Sequence, residues 1–99
     1  MDATIATDAV RQVLQQIQAS QQLACPVIVD AIRPIRDLKN FDSPMSIAAT
    51  GMVGRKLGLK IDPKTNIFGN KKGLHTIKET VALLCKLADE QKAKEPAKA

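Results

Sequence analysis

Asp42-Ser43-Pro44 is the segment of this chain whose residue types most plainly allow chemistry. A serine held at a helix start, behind an aspartate, is an attachment point for a phosphate-linked group. The positive end of the helix favours a phosphodiester at that place. The same residues also fit a structural role. Ser43 can cap the helix by accepting a hydrogen bond from a first-turn N–H, with Pro44 at the first helical position, where no donor is needed. The two roles coexist. No His/Asp/Glu constellation converges on Ser43, so the chain is not expected to be an enzyme. His75 is the only histidine and reads as structural or exposed, and Cys25 and Cys85 form no CxxC. A zinc site therefore lacks ligands. Two lone cysteines without a signal peptide predict reduced thiols and a cytoplasmic setting. Cys85 falls in an apolar stripe and reads as a small core residue.

The elements that must position Ser43 read as helices. Val10, Val13, Leu14 and Ile17 recur at spacings of three and four, which predicts a helix over 8–21 capped by Thr7 or Asp8. Residues 1–6 read as a flexible leader. From Leu23 to Asp42 a long connection is broken by Pro26 and Pro34. Val27-Ile28-Val29 has strand character but no second strand to pair with. Ile32, Ile35, Leu38 and Phe41 are expected to dip into the core.

A second helix is predicted from Ser43 to a stop at Gly58, with Ile47, Met52, Val53 and Leu57 inward. Met45, Ile47 and Met52 read as core or rim. Gly51 and Gly54 inside it call for a packing or functional reason, such as close approach of another backbone. Asp62-Pro63 can start a short helical turn carrying Ile67 and Phe68. Gly69-Asn70-Lys71-Lys72-Gly73 is a turn. Thr76-Ile77-Lys78-Glu79 fits a capping box, and Ile77, Val81, Leu84, Cys85 and Ala88 follow on one face. Residues 89–99 read as a flexible polar tail, leaving 7–88 as the folded domain. The expected fold is an all-α small four-helix bundle: three main helices, one short helix and a long ordered first loop.

Composition narrows the function. The 99 residues contain only two aromatics, Phe41 and Phe68, too few for stacking on single-stranded nucleic acid. No apolar run is long enough to span a membrane. The net charge is +5, with 15 Lys and Arg against 10 Asp and Glu, which favours acidic partners. The basic residues are unevenly placed. Between 31 and 60, Arg33, Arg36, Lys39, Arg55, Lys56 and Lys60 face only Asp37 and Asp42, and Ser43 to Leu57 contains no acid.

Taken in order, these features resemble an acyl carrier protein over residues 7–88. The Asp-Ser pair, the approach Ile35-Arg36-Asp37-Leu38-Lys39-Asn40-Phe41 and the ending Leu57-Gly58-Leu59-Lys60-Ile61 are similar to that family. So are Thr65-Asn66-Ile67-Phe68 and the capped last helix. The likeness is greatest to divergent, specialised bacterial members. It implies that Ser43 is esterified by 4'-phosphopantetheine, taken from coenzyme A by a separate Mg-dependent phosphopantetheinyl transferase, with Asp42 helping to orient the metal or adding charge at the helix start. The arm's thiol would carry an acyl chain as a thioester for fatty-acid, lipid or secondary-metabolite enzymes.

Two departures shape the expected partners. Pro44 replaces the family's usual leucine, and the helix lacks the glutamates that carriers usually present. Pro44, Met45, Ala48, Arg55 and Lys56 are the candidate docking residues. Acyl-activating and acyl-transfer enzymes with an acidic or neutral face would fit them. A monomer is expected. Two other readings stand beside this one. The chain can be a small basic helical module that binds nucleic acid, although no helix shows a row of residues suited to the major groove. It can also be an interaction adaptor that keeps the carrier fold without the modification.

Overall fold

The computed structural model describes residues 2–62, 64–70 and 73–94. Helices α1 (Ala3–Ser20), α2 (Pro34–Asp37) and α3 (Ser43–Leu57) come first. A two-stranded antiparallel hairpin follows, β1 (Gly69–Asn70) and β2 (Gly73–Leu74), and then α4 (Ile77–Lys94). The chain is mostly helical, and α1 packs against both α3 and α4. The hairpin corrects the all-α expectation. Gly69 pairs with Leu74 and Asn70 with Gly73. The N–H of His75 then extends the ladder to the Phe68 carbonyl at 2.8 Å. Two-residue strands rich in glycine carry no apolar alternation, so in sequence they show only as a turn. Lys71 and Lys72, read as part of that turn, lie outside the described residues.

Both ends of the helical domain extend further than expected. The Asp2 carboxylate accepts from the Thr4 N–H at 2.8 Å and caps α1. The expected caps fall inside that helix, where the Thr7 hydroxyl donates to the Ala3 carbonyl at 2.7 Å. Within the stretch expected to be a loose leader, Ala6 is fully buried. It joins Val10, Val13, Leu14 and Ile17 on the core face. At the other end α4 continues into the expected tail. The Gln91 side chain donates to the Lys60 carbonyl at 2.6 Å and accepts from the Lys60 N–H at 2.9 Å, which anchors this end. Residues 95–99 of that tail lie outside the described residues.

The long connection is ordered around one turn of helix. In α2 the Asp37 carboxylate accepts from the Arg33 N–H at 2.8 Å and from the Arg36 guanidinium at 2.8 and 3.1 Å. The Arg36 contact and then the Arg33 N–H hold the Asp37 carboxyl below its usual range. Ile28, Leu38 and Phe41 are buried, and Ile32 and Ile35 pack half-buried against them. Val27 is 82% exposed, and Val27-Ile28-Val29 is not a strand. The N–H groups of Ile77 and Lys78 donate to the carbonyls of Ile32 and Asp30 at 2.8 and 3.2 Å. The loop thus satisfies donors that α4 leaves open at its start.

The expected turn at Asp62 forms as a turn, not a helix: the N–H groups of Lys64 and Thr65 donate back to the Asp62 side chain and carbonyl at 2.8 and 2.9 Å. Pro63 is not among the described residues. The two aromatic rings meet at the centre. Phe41 and Phe68 are 5.4 Å apart, edge to face at 88°. That pair joins the residue before Asp42 to the segment after α3.

Candidate functional site

The start of α3 differs from the expected arrangement by one residue. The cap is Asp42, whose Oδ1 accepts from the Met45 N–H at 3.1 Å. Ser43 and Pro44 are therefore the first two helical residues. Serine and aspartate both cap well, so sequence alone could not choose between neighbours. The carboxylate also gains from the helix dipole. The consequence for chemistry is direct. Ser43 is exposed, and its hydroxyl makes no hydrogen bond among the described residues.

Ser43 stands on the rim of an open cleft of about 470 Å³. Ile35, Gly69 and Leu74 supply its apolar lining. A Cβ at Gly69 would lie 3.3 Å from Ile35 Cδ1 and 3.4 Å from the Gly73 carbonyl oxygen. Glycine is what lets the hairpin approach α2 so closely. Lys64, Thr65, Asn66 and Asn70 supply the polar lining.

A polar network that runs from the cleft lining into the core fixes the first turns of α3. The Asn66 amide donates to Ser46 Oγ at 2.6 Å, and Ser46 Oγ donates to the Ser43 carbonyl at 2.8 Å. One turn further in, the Thr50 hydroxyl donates to the Ser46 carbonyl at 2.9 Å and accepts from the Ile67 N–H at 3.1 Å. The Ile67 carbonyl receives the Thr80 hydroxyl at 3.1 Å and lies 2.9 Å from His75 Nδ1. Satisfied networks of this kind hold a unique geometry. Here the backbone of Ser43 is tied through Ser46 to Asn66, another residue of the cleft lining.

This network also accounts for the inner face of α3. Ser46, Ala49, Thr50, Val53 and Gly54 are buried. Of the residues expected inward, Val53 is buried, while Met52 and Leu57 are half-buried at the edge of the core. Ile47 is 38% exposed, contrary to expectation, because Ser46 and Thr50 take the inner positions for hydrogen bonding. Sequence reasoning missed Ser46, Thr50, Asn66 and Thr80. For Ser46 and Thr50 the advance signal was two hydroxyl residues four apart in α3; Asn66 had been named only within the family-like segment Thr65-Asn66-Ile67-Phe68.

The candidate docking residues divide between two faces. Pro44, Ala48, Gly51 and Arg55 are exposed at helical spacing and form one outward stripe. Met45 is half-buried beside it. Arg55 stands about 18 Å along the helix from Ser43. Lys56 is turned to the other side, where with Ile5, Asp8, Gln12 and Leu57 it lines a separate shallow depression against α1. Arg55 and Lys56 also lie in the last turn of α3, where cations complement the helix dipole. Elsewhere in the basic stretch, Arg33 pairs with Glu79 at 3.6 Å and Arg36 with Asp37 at 2.8 Å.

Gly58 stops α3 at φ +68, and the Leu59 N–H closes the end on the Gly54 carbonyl at 2.8 Å. The space above Gly54 explains that residue. A Cβ there would lie 3.1 Å from Ile61 Cδ1 and 3.3 Å from the Leu59 carbonyl oxygen.

Among the described residues no group of three or more His, Cys, Asp and Glu is placed to hold a metal ion. None of their helices is long and apolar enough to cross a membrane. Cys25 and Cys85 are free thiols, both half-buried. Burial pushes the Cys25 thiol up, away from the thiolate form that reacts. Compared with protein-family models, with curated proteins and with solved structures, the chain has no significant match.

Proposed function

We propose that this chain is an acyl carrier: Ser43 takes a 4'-phosphopantetheine arm, and the arm's thiol carries an acyl group as a thioester. One observation carries this reading. The Ser43 hydroxyl is exposed and unbonded at the first position of a 15-residue helix whose cap is supplied by Asp42. A hydroxyl free of structural duty can be esterified without loosening the helix, and the dipole favours the phosphodiester that results.

In the attachment step Ser43 Oγ attacks the phosphorus of coenzyme A that bears the pantetheine. A new P–O bond forms, the phosphoanhydride breaks, and adenosine 3',5'-bisphosphate leaves. The serine proton passes to a base on the transferase or to water. Mg²⁺ and that base belong to the transferase, with Asp42, next to Ser43, available to help orient the metal. The carrier itself performs no further chemistry. It presents the acyl group to successive enzymes and raises its effective concentration at each. The setting we infer is cytoplasmic, with reduced thiols.

Partners would read the outward stripe Pro44, Ala48, Gly51 and Arg55. That face carries no acid, so complementary enzymes are neutral or acidic there. Such a face would disfavour the basic partners of an ordinary carrier. A dedicated pathway follows from that charge.

The test is a mass measurement. Incubation with coenzyme A, Mg²⁺ and a broad-specificity phosphopantetheinyl transferase should add one arm, and Ser43→Ala should add none. No gain, with a known carrier modified in parallel, would leave the carrier-like adaptor that is not modified. Gain on Ser43→Ala would move the site.

A further inference from the structure

We propose that Asn66 is a positioning residue for the reaction at Ser43, acting through Ser46. This rests on the carrier reading and adds to it what holds the hydroxyl in place. Among the described residues nothing bonds to that hydroxyl, so its position is set by the backbone that carries it. Two ties fix that backbone, and both end on Phe68. Before the serine, the Phe41 ring meets the Phe68 ring edge to face, with centroids 5.4 Å apart. After it, Ser46 Oγ donates to the Ser43 carbonyl at 2.8 Å. The Asn66 amide donates to Ser46 Oγ at 2.6 Å, and its Oδ1 accepts from the Phe68 N–H at 2.9 Å. Ser43 is thus one link in a closed circuit of Phe41, Asp42, Ser43, Ser46, Asn66 and Phe68.

The relay has a direction. A backbone N–H only donates, so the Phe68 N–H takes the oxygen of the Asn66 side chain and leaves its NH2 to Ser46. Ser46 Oγ receives that donor and turns its own proton to the Ser43 carbonyl. Ser46 and Phe68 are fully buried, and Asn66 is half-buried at the cleft. Stability alone does not require this arrangement, because apolar groups of the same shape can replace both partners of a buried hydrogen bond at little cost. Nor does Ser46 need Asn66 to bond within its own turn, as serines in helices do. What Asn66 adds is a link from that turn to a segment 20 residues further on. Hydrogen bonds fix direction as well as distance, so the link restrains the first turn of α3 where the hydroxyl stands. Misplacing a reacting group by about 1 Å can cost about a hundred-fold in rate.

The experiment follows by mass how fast a broad-specificity phosphopantetheinyl transferase loads each variant from coenzyme A, with kcat and the KM for the carrier separated. Asn66→Ala and Ser46→Ala should each lower kcat roughly ten-fold, inside the range of such misplacement. The KM should change by less than about two-fold, since the outward stripe of α3 is untouched. The double variant should be no slower than the slower single one, because both break the same relay. Thr76→Ala, which removes the α4 cap and leaves the relay intact, should load at the natural rate. Amide exchange gives a readout without the transferase. In Asn66→Ala it should quicken at Met45 and Phe68 and stay unchanged at Val13 and Leu84.

A natural kcat in Asn66→Ala would overturn the proposal. So would losses that multiply in the double variant, since Asn66 then acts without Ser46, and a loss confined to KM, since Asn66 is then a docking residue. An equal loss in Thr76→Ala, or exchange that quickens at all four amides, would reduce the effect to general loosening and defeat it. If Ser46→Ala does not fold, the kcat, KM and exchange pattern of Asn66→Ala decide the matter. Absence of any mass gain in the natural protein, with a known carrier modified in parallel, is a different failure: it removes the carrier reading, and this inference with it.

Discussion

Two helix starts in this chain use similar residues and leave them in different states. At α4, Thr76 Oγ1 accepts from the Glu79 N–H at 3.1 Å, and the Glu79 carboxylate accepts from the Thr76 N–H at 2.9 Å. Both side chains are consumed by the reciprocal cap. At α3, Asp42 alone makes the cap, at 3.1 Å to Met45. The serine stands one position further in, with its hydroxyl unbonded and the residue lining an open cleft of mixed polar and apolar side chains. A hydroxyl residue at a helix start is therefore not a candidate site by type alone. What distinguishes Ser43 from Thr76 is that the fold has not already used it.

The comparison breaks most readily through three substitutions. Asp42→Ala and Thr76→Ala each remove a cap and should cost about 1 kcal/mol. Ser43→Ala removes no hydrogen bond made by the side chain and should change stability by less than about 0.5 kcal/mol, as for an ordinary surface position. Urea unfolding of the three variants measures this directly. If Ser43→Ala is as costly as Thr76→Ala, the hydroxyl is part of the cap and the contrast disappears.

How far each start could be read in advance follows the range of its interactions. The α4 box is local: Thr76 and Glu79 are three residues apart, and the apolar face behind them includes Ile77, Val81 and Leu84. Gly58 as a stop is equally local. The start of α3 was legible to within one residue. Its surroundings were not, because distant residues set them. Gln18 looks like a surface residue of α1, yet it is fully buried and donates to the Lys39 carbonyl at 2.9 Å. Ser46 and Thr50 turn inward because Asn66 and Ile67 meet them across 20 and 17 residues. The hairpin escaped because its strands are two residues long. The cleft depends on Gly69 against Ile35, a contact between segments that share no pattern in sequence.

The outer face of α3 offers a second way to sharpen the contrast. Gly54 is closed in by Ile61, whereas a Cβ at Gly51 meets nothing within 4 Å. Packing within this chain therefore does not require glycine at 51. Gly51→Ala should raise stability by up to about 1 kcal/mol, since alanine loses less backbone freedom in a helix. A rise in Tm with weaker binding to a cognate enzyme would assign the glycine to a partner's close approach. A fall in Tm would show that the position is not open, and the smooth stripe from Pro44 to Arg55 would lose its meaning as a contact face.

The smallest expected effect concerns the charge that closes the α4 box. The Glu79 carboxyl lies below its usual range, first because it accepts the Thr76 N–H, then through the Thr76 hydroxyl, with His75 and Arg33 adding less. A carboxyl whose value is lowered on folding contributes stability that is fully present above its unfolded value, about 4.3, and is lost as pH falls through the folded value. Glu79→Gln should therefore be less stable than the natural protein near pH 6, and that gap should narrow as pH falls towards about 3. Asp37 also has a lowered value, but it titrates in both proteins and cancels in their difference. Because Glu79 is exposed, the gap should also shrink with added salt. Thermal unfolding of both proteins across this range measures it. Equal stability of the two proteins across the whole range would mean that the amide of glutamine caps Thr76 as well as the carboxylate does, and that the box at α4 closes by hydrogen bonding without help from charge.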